Sequence, residues 1–543
     1  MVFARRSTTL LAAIIASCAM VLSLTACTSD NKTVVDGQTT VTSNSAGGVA
    51  VFTPSDGITL NQQMPLNKWA KLVPDLTKAL VDAGFKKGDI DHTTSDSLDK
   101  QSRAIQDFVV DHLSNNTTDD SGIAIAPDNM TLLVAPVVEA DASTRQYGDY
   151  VSQNLSTNDV TDEGATSDGE SSEDDSSKDD SSNTESDSTA SDEQAQAVDR
   201  LVSSLKLAKE SGMHVVLLGN SIEGYKPDAF VKFSDAQTIG KLQAEKMVSK
   251  LKLDKASKDN PKYIEVLLPY TAMDEKGNAN DSTFAQEAFR GIWQVLGSYY
   301  QKGVVESPSG TLDGKSTEND WQAVAYDAAK EGSTAKVLDK RLAKTDGQST
   351  LTRIDGIITM NDYIASEVVK ELDDLGYTGS AADINPQITI SGIVGNITGK
   401  KDLSRDAVPD PIKSPENDNA NDSSSSDDDA DEDTSASDKD RDSQWPLVTG
   451  YGAYVSNIPS IVNGKQWMTG MEDRQTIATD IAQACAKLNK DEALNSMPSI
   501  RNSEVGGVKK IPTISEPLLA VSASNLKSAL IDPDYISLAD AGL

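Results

Sequence analysis

Apolar positions fall into two rhythms that alternate along most of the chain. Short continuous apolar runs occur at 49–52 (VAVF), 131–136 (TLLVAP), 214–219 (HVVLLG), 263–268 (YIEVLL), 354–359 (IDGIIT) and 446–450 (PLVTG). Runs of this length predict strands buried on both faces. Between them lie stretches with a helical period: 69–84 (WAKLVPDLTKALVDAG), 197–212 (AVDRLVSSLKLAKESG), 236–251 (AQTIGKLQAEKMVSKL), 284–300 (FAQEAFRGIWQVLGSYY) and 363–376 (YIASEVVKELDDLG). Several close on Gly, the usual residue just past a helix end. Buried strands separated by amphipathic helices predict an α/β fold of parallel sheets covered on both faces.

Three stretches break the rhythm. At the start, Arg5 and Arg6 precede an apolar run from about Leu10 to Leu24, which ends in Leu24-Thr25-Ala26-Cys27. A run this short, behind arginines and ahead of small residues, reads as a signal peptide rather than a spanning helix. Its last four residues resemble a bacterial lipobox, which implies that Cys27 becomes the lipidated first residue of the mature chain. Residues 28–47 are polar, small and proline-free, and are expected to form a flexible tether. Two acidic, serine-rich tracts, at 154–194 and 414–443, hold too few apolar residues to offset the entropy of ordering. Both are expected to be disordered insertions, and neither has the residue order or the Gly of an EF-hand loop.

At 543 residues the chain is long enough for two domains with a substantial core. A formal net charge of -35, much of it in the two acidic tracts, argues against nucleic acid and anionic lipid surfaces as partners. Cys18 lies in the expected signal peptide, Cys27 is the expected lipid site and Cys485 stands alone, so no internal disulfide framework is expected. His92, His112 and His214 are isolated from one another and from cysteine, which argues against zinc; His214, opening an apolar strand, reads as structural. The chain has no GxSxG, Walker, Gly-rich dinucleotide or HExxH motif. Nothing calls for an enzyme or a cofactor.

Five segments, in order, resemble the xylose/glucose-type branch of the periplasmic sugar-binding proteins of ABC transporters. They are 67–85, 231–248, 354–377, 445–478 and 505–532. The resemblance implies a two-lobed periplasmic-binding-protein fold, each lobe a mainly parallel sheet flanked by helices. It places lobe 1 at 48–221 plus 473–511, and lobe 2 at 222–472 plus 512–543. It also implies a monomer held at the outer face of the cytoplasmic membrane only by lipid, binding a sugar-like solute and meeting an ABC permease.

Carried over residue by residue, the resemblance implies a site made of Lys68, Trp69, Asp235, Asn361 and Asp362, with Asn280 and Asp281 nearby; Tyr451, which departs from the family pattern, is expected to add a stacking surface. Carboxylates and amides would pair with sugar hydroxyls, and an aromatic ring would cover a C–H face. Other roles stay open for three of them: Asp235 and Asp362 precede helices and suit N-caps, and Trp69 suits core packing. The chain also departs from the family pattern. Gly219-Asn220 replace an Asp-Arg, Ala236 replaces an Asn, Tyr451-Gly452 replace a Gln-Asp and Glu472 replaces a Lys. Each buried hydroxyl left without a partner costs about 1–3 kcal/mol, so two functions stay open: a substrate receptor, or a sensor or surface interaction protein that keeps the fold without feeding a transporter. The lipobox and the missing helix-turn-helix count against a repressor.

Overall fold

The computed structural model describes residues 32–35, 38–41, 46–55, 65–115, 125–138, 144–157, 185–273, 281–328, 330–343, 351–381 and 443–543. The signal peptide, Cys27 and Asn280 lie outside them, as does the second acidic tract up to 442. The principal strands, in chain order, are β1 (Gly48–Pro54), β2 (Ile90–Ser95), β3 (Met130–Val134), β4 (His214–Leu218), β5 (Ala229–Lys232) and β6 (Lys262–Val266). They continue with β7 (Val305–Glu306), β8 (Gly356–Ile358), β9 (Leu447–Thr449), β10 (Met468–Met471), β11 (Ile500–Val505), β12 (Val508–Ser515) and β13 (Leu519–Ser522). The principal helices are α1 (Trp69–Asp82), α2 (Leu98–Asn115), α3 (Glu185–Glu210), α4 (Ala236–Leu251), α5 (Thr283–Gln301), α6 (Ser333–Arg341), α7 (Asp362–Leu375) and α8 (Arg474–Leu488).

Two sheets organise the molecule. The first runs β11-β12-β5-β4-β3-β1-β2, parallel except for the β11–β12 hairpin. The second runs β7-β6-β8-β9 and is parallel throughout. Each has its own core. In the first lobe, Trp69, Leu72, Leu76 and Leu80 repeat at the helical period on α1 and bury against the sheet beside α8, which carries the buried Cys485. In the second, Ile364, Ala365, Val368 and Leu372 do the same on α7. Burying each large side chain contributes about 1.5–3 kcal/mol. The α/β class and the two-lobed architecture expected from the sequence are both present.

Among the described residues, the main chain connects the two sheets after β5, between β10 and α8, and between β12 and β13. The strands β10 and β13 pair antiparallel, Met468 opposite Ser522 and Met471 opposite Leu519. A small separate core, including Ile458, Ile461, Val521 and Leu530, packs beside this ribbon.

Several expectations need correction. Strand β5 pairs with β4 and β12 in the first sheet, so the first lobe extends past 221 to Lys232. Strand β12 likewise stays in the first sheet to Ser515, beyond 511. The first insertion is shorter than 154–194. Asn154 and Leu155 pair with Ser221 and Ile222, and α3 already begins at Glu185. Extending a docked helix costs far less than nucleating one, so α3 runs back into the polar tract. The expected tether holds an antiparallel hairpin, Lys32–Val35 with Gln38–Val41. Asp36-Gly37 between two β-rich runs is a two-residue turn signal.

Candidate functional site

The carboxyl ends of both sheets meet at one seam, the place where open α/β sheets collect their ligands. Phe233, Ser234 and Asp235 follow β5 on one side; Asn361 and Asp362 follow β8, and Tyr451 follows β9, on the other. The Ser234 and Tyr451 hydroxyls lie 2.6 Å apart and join the two groups. All six sequence-expected site residues gather along this seam, and most are engaged by the protein itself.

Lys68 precedes α1 and pairs through Nζ with Asp149 Oδ1 at 2.6 Å. The other oxygen of Asp149 accepts the Trp69 main-chain N–H at 3.0 Å, so Asp149 satisfies the start of α1. Trp69 is only 3% exposed and makes edge contacts with Tyr150, at 5.0 Å, and Phe233, at 5.7 Å. It packs in the first-lobe core.

Asp235 is the N-cap of α4. Its Oδ1 accepts the Thr238 N–H at 2.7 Å, and Oδ2 pairs with Lys232 at 3.0 Å. Burial opposes its ionisation, but the Thr238 bonds and Lys232 outweigh that and hold the carboxyl below its usual value. About a third of the side chain, 34%, remains exposed. Asp281 similarly accepts the Thr283 N–H at 2.9 Å, at the start of α5.

Asn361 and Asp362 divide their roles differently from expectation. The N-cap of α7 is Asn361, whose Oδ1 accepts the Ile364 N–H at 2.9 Å. Asp362 is inside the helix, fully buried, and accepts from the Tyr454 N–H (2.9 Å), Gln466 Nε2 (2.7 Å) and Thr469 Oγ1 (2.9 Å). It therefore pins the loop after β9 and the start of β10 to α7. Burial pushes its carboxyl up to about 6 despite those donors.

Tyr451 is fully buried, and its hydroxyl also donates to Glu472 at 3.4 Å. Glu472, at the second crossing, accepts the Ser234 N–H at 2.7 Å and the Ser234 hydroxyl. Burial, with a smaller push from Asp235, raises its carboxyl to about 7 against the lowering effect of those bonds. Asn67 lies beside it, 1% exposed; its Oδ1 accepts the Glu472 N–H at 3.4 Å, while its Nδ2 has no partner among the described residues.

No protein-family model matches the chain, and no curated protein does. Solved structures that resemble it include an ABC transporter solute binding protein from Clostridium phytofermentans with bound beta-D-glucose. That pair is 17% identical over 91% of this chain and 99% of the other, with a TM-score of 0.44. A carbohydrate transporter solute binding protein from Chloroflexus aurantiacus, in complex with D-glucose, is 17% identical over 92% and 98%, with a TM-score of 0.43. AraP, an arabinose binding protein from Geobacillus stearothermophilus, is 10% identical over 89% and 99%, with a TM-score of 0.42. The fold of the present chain rests on its own strand order and register.

The residues that sequence reasoning missed come mostly from one segment, Gln146 to Tyr150. Gln146 Oε1 accepts Asn361 Nδ2 at 3.1 Å, and its main-chain carbonyl accepts the Tyr454 hydroxyl at 2.6 Å. Tyr147 packs on Phe284 at 4.7 Å and faces Tyr451 at 6.2 Å. Tyr150 stacks on Phe233 at 4.7 Å and donates to the Lys68 carbonyl at 2.5 Å. Beyond it, Asn220 accepts the Gln153 N–H at 3.0 Å and donates to the Pro136 carbonyl at 2.9 Å. Asn220, one of the departures from the sugar-receptor pattern, thus holds the end of this segment against the first lobe.

Two open pockets lie away from the seam. One of about 550 Å³ sits beside His214 and Asp228, and one of about 790 Å³ sits between α2 and α3 near Asp99 and Arg200. Among the described residues no helix is long and apolar enough to cross a membrane.

Proposed function

We propose that the chain is an extracytoplasmic, lipid-anchored receptor that closes its lobes on a carbohydrate-like solute and presents it to an ABC permease. The observation that carries this reading is Asn67 Nδ2, a buried donor at the seam with no acceptor among the described residues. A donor kept buried and unpaired costs about 1–3 kcal/mol, and a ligand oxygen is the partner that offsets it. Lys68 supplies a further donor on the same side, and the Asp235 carboxylate, at the start of α4, and Asn361 face it from the other lobe. Trp69, Tyr451 and Asp362 act in this reading by shaping the seam rather than by open contact. The lipobox at Cys27 supports export and anchoring.

The test is a thermal-shift screen of the Cys27→Ser chain against a panel of aldoses and short oligosaccharides, since a ligand that binds the folded state raises the melting temperature. A concentration-dependent rise with one sugar, lost in Asn67→Ala, supports the reading. No rise across the panel sinks it.

A second reading is favoured by the internal pairing of Asp362, Tyr451 and Trp69, which leaves few free polar groups at the seam. In it the chain keeps the fold as a sensor or surface interaction protein. A neighbouring sensor-kinase gene, in place of a permease and ATPase, would favour it.

A further inference from the structure

We infer that Gln146–Tyr150 is an internal strap that ties the two lobes together and stands in the space a cleft ligand would take. The tie stands on the contacts alone; the second part rests on the receptor reading. Within five residues the chain changes allegiance. Gln146 and Tyr147 belong to the second lobe, through Asn361, Tyr454, Phe284 and Tyr451. Asp149 and Tyr150 belong to the first, through Lys68, Trp69 and Phe233. Gly148 makes the change possible. Its φ of +95° is one that L side chains rarely adopt, and a Cβ there would sit 2.5 Å from the Asn67 carbonyl.

The strap meets the requirements a ligand would meet. It fills the seam with two aromatic faces, a carboxylate and an amide, and it is bonded to residues of both lobes at the strand ends. Asp149 takes up Lys68 and Gln146 takes up Asn361, two of the groups that the receptor reading assigns to solute. A solute must therefore displace the strap, and its apparent affinity falls by the fraction of molecules in which the strap has left. Release of the strap opens the lobes; its return closes them without ligand.

The experiment measures lobe separation in the absence of any solute. Spin labels go on Val110→Cys in α2 and Met273→Cys in the second lobe, which are 45% and 63% exposed. The background is the full chain with Cys18→Ser and Cys27→Ser, and Cys485 is buried. Pulsed-EPR distances are then compared with and without the double change Gln146→Ala/Tyr454→Phe. These two changes remove both hydrogen bonds from Gln146 to the second lobe and leave both cores intact. Gly148→Val is a second variant that expels the strap sterically, and cooperative thermal unfolding confirms that each variant folds. The expected result is a narrow distribution in the parent chain and a second, longer-distance population in both variants. Unchanged distributions in both overturn the strap.

The occupancy part is read by titrating glucose, xylose and arabinose into the parent and the opened variant. Binding that is tighter by about tenfold in the variant supports competition, and equal binding overturns it. Lobes that open but bind none of the sugars sink the receptor reading while the tie stands.

Discussion

The Glu472 carboxylate accepts the main-chain N–H of Ser234 at 2.7 Å, so the second crossing between the lobes is bonded to the first. Its carboxyl, ordinarily near 4.5, is pushed up to about 7 by burial, so the folded state holds a proton that the unfolded chain releases. The stability this contributes is fully present below about pH 4.5 and is lost as pH rises through about 7. Asp362, raised from 3.8 to about 6, adds to the same trend at slightly lower pH. We predict that Glu472→Gln flattens the fall in melting temperature between pH 5 and pH 8, a difference on the order of 1–3 kcal/mol. Thermal unfolding at several pH values checks this, and parallel curves for the two proteins would refute it.

Trp69→Ala is predicted to cost about 3–5 kcal/mol of stability, because the ring is buried among Tyr150 and Phe233. Urea unfolding measures the loss. If stability were unchanged while sugar binding weakened, Trp69 would instead be an open stacking surface.

Asp235 and Asp362 should separate cleanly. Asp235→Asn keeps the cap of α4, since Asn caps nearly as well, and loses only a half-exposed pair with Lys232. Its predicted effect is little change in stability and sugar binding weaker by about 1–2 kcal/mol. Asp362→Asn places an amide among the donors of Tyr454, Gln466 and Thr469. It should destabilise the fold by about 1–3 kcal/mol. Calorimetry and chemical denaturation on both variants decide the matter.

Cys27→Ser is predicted to abolish labelling by a radioactive fatty acid and to leave the precursor unprocessed by the lipoprotein route. Labelling equal to that of the parent chain would show that the lipid is carried elsewhere.

The sequence made the fold legible where burial is two-sided. All six apolar runs are strands, and all five periodic stretches are helices, because a fully buried strand such as β1 and a one-faced helix such as α1 write their environment into consecutive residues. Strand β2 escaped notice because it is an exposed edge: Asp91, His92, Thr93 and Thr94 face outward and carry no apolar rhythm. The seam was legible as a place in the fold, since Lys68, Trp69, Asp235, Asn361, Asp362 and Tyr451 all stand at strand ends or helix starts along it. Their partners were not. Asp149 meets Lys68 across 81 residues, and Gln146 meets Tyr454 across 308, so no local spacing links them. The one available signal was the dense cluster Tyr147-Gly148-Asp149-Tyr150, just ahead of an acidic tract otherwise poor in aromatics.

The position of β12 also bears on how the polypeptide reaches its native state. It lies between β5 and the β11 edge in the first sheet, yet it follows every other strand of that sheet in the chain. Until it emerges, β5 has an open edge, and α8 is made only shortly before it, so neither cotranslational folding of that lobe nor burial of its core can finish early. Truncation before Val508 would leave the β5 edge free to pair with another chain, making aggregation the expected fate of the shortened product.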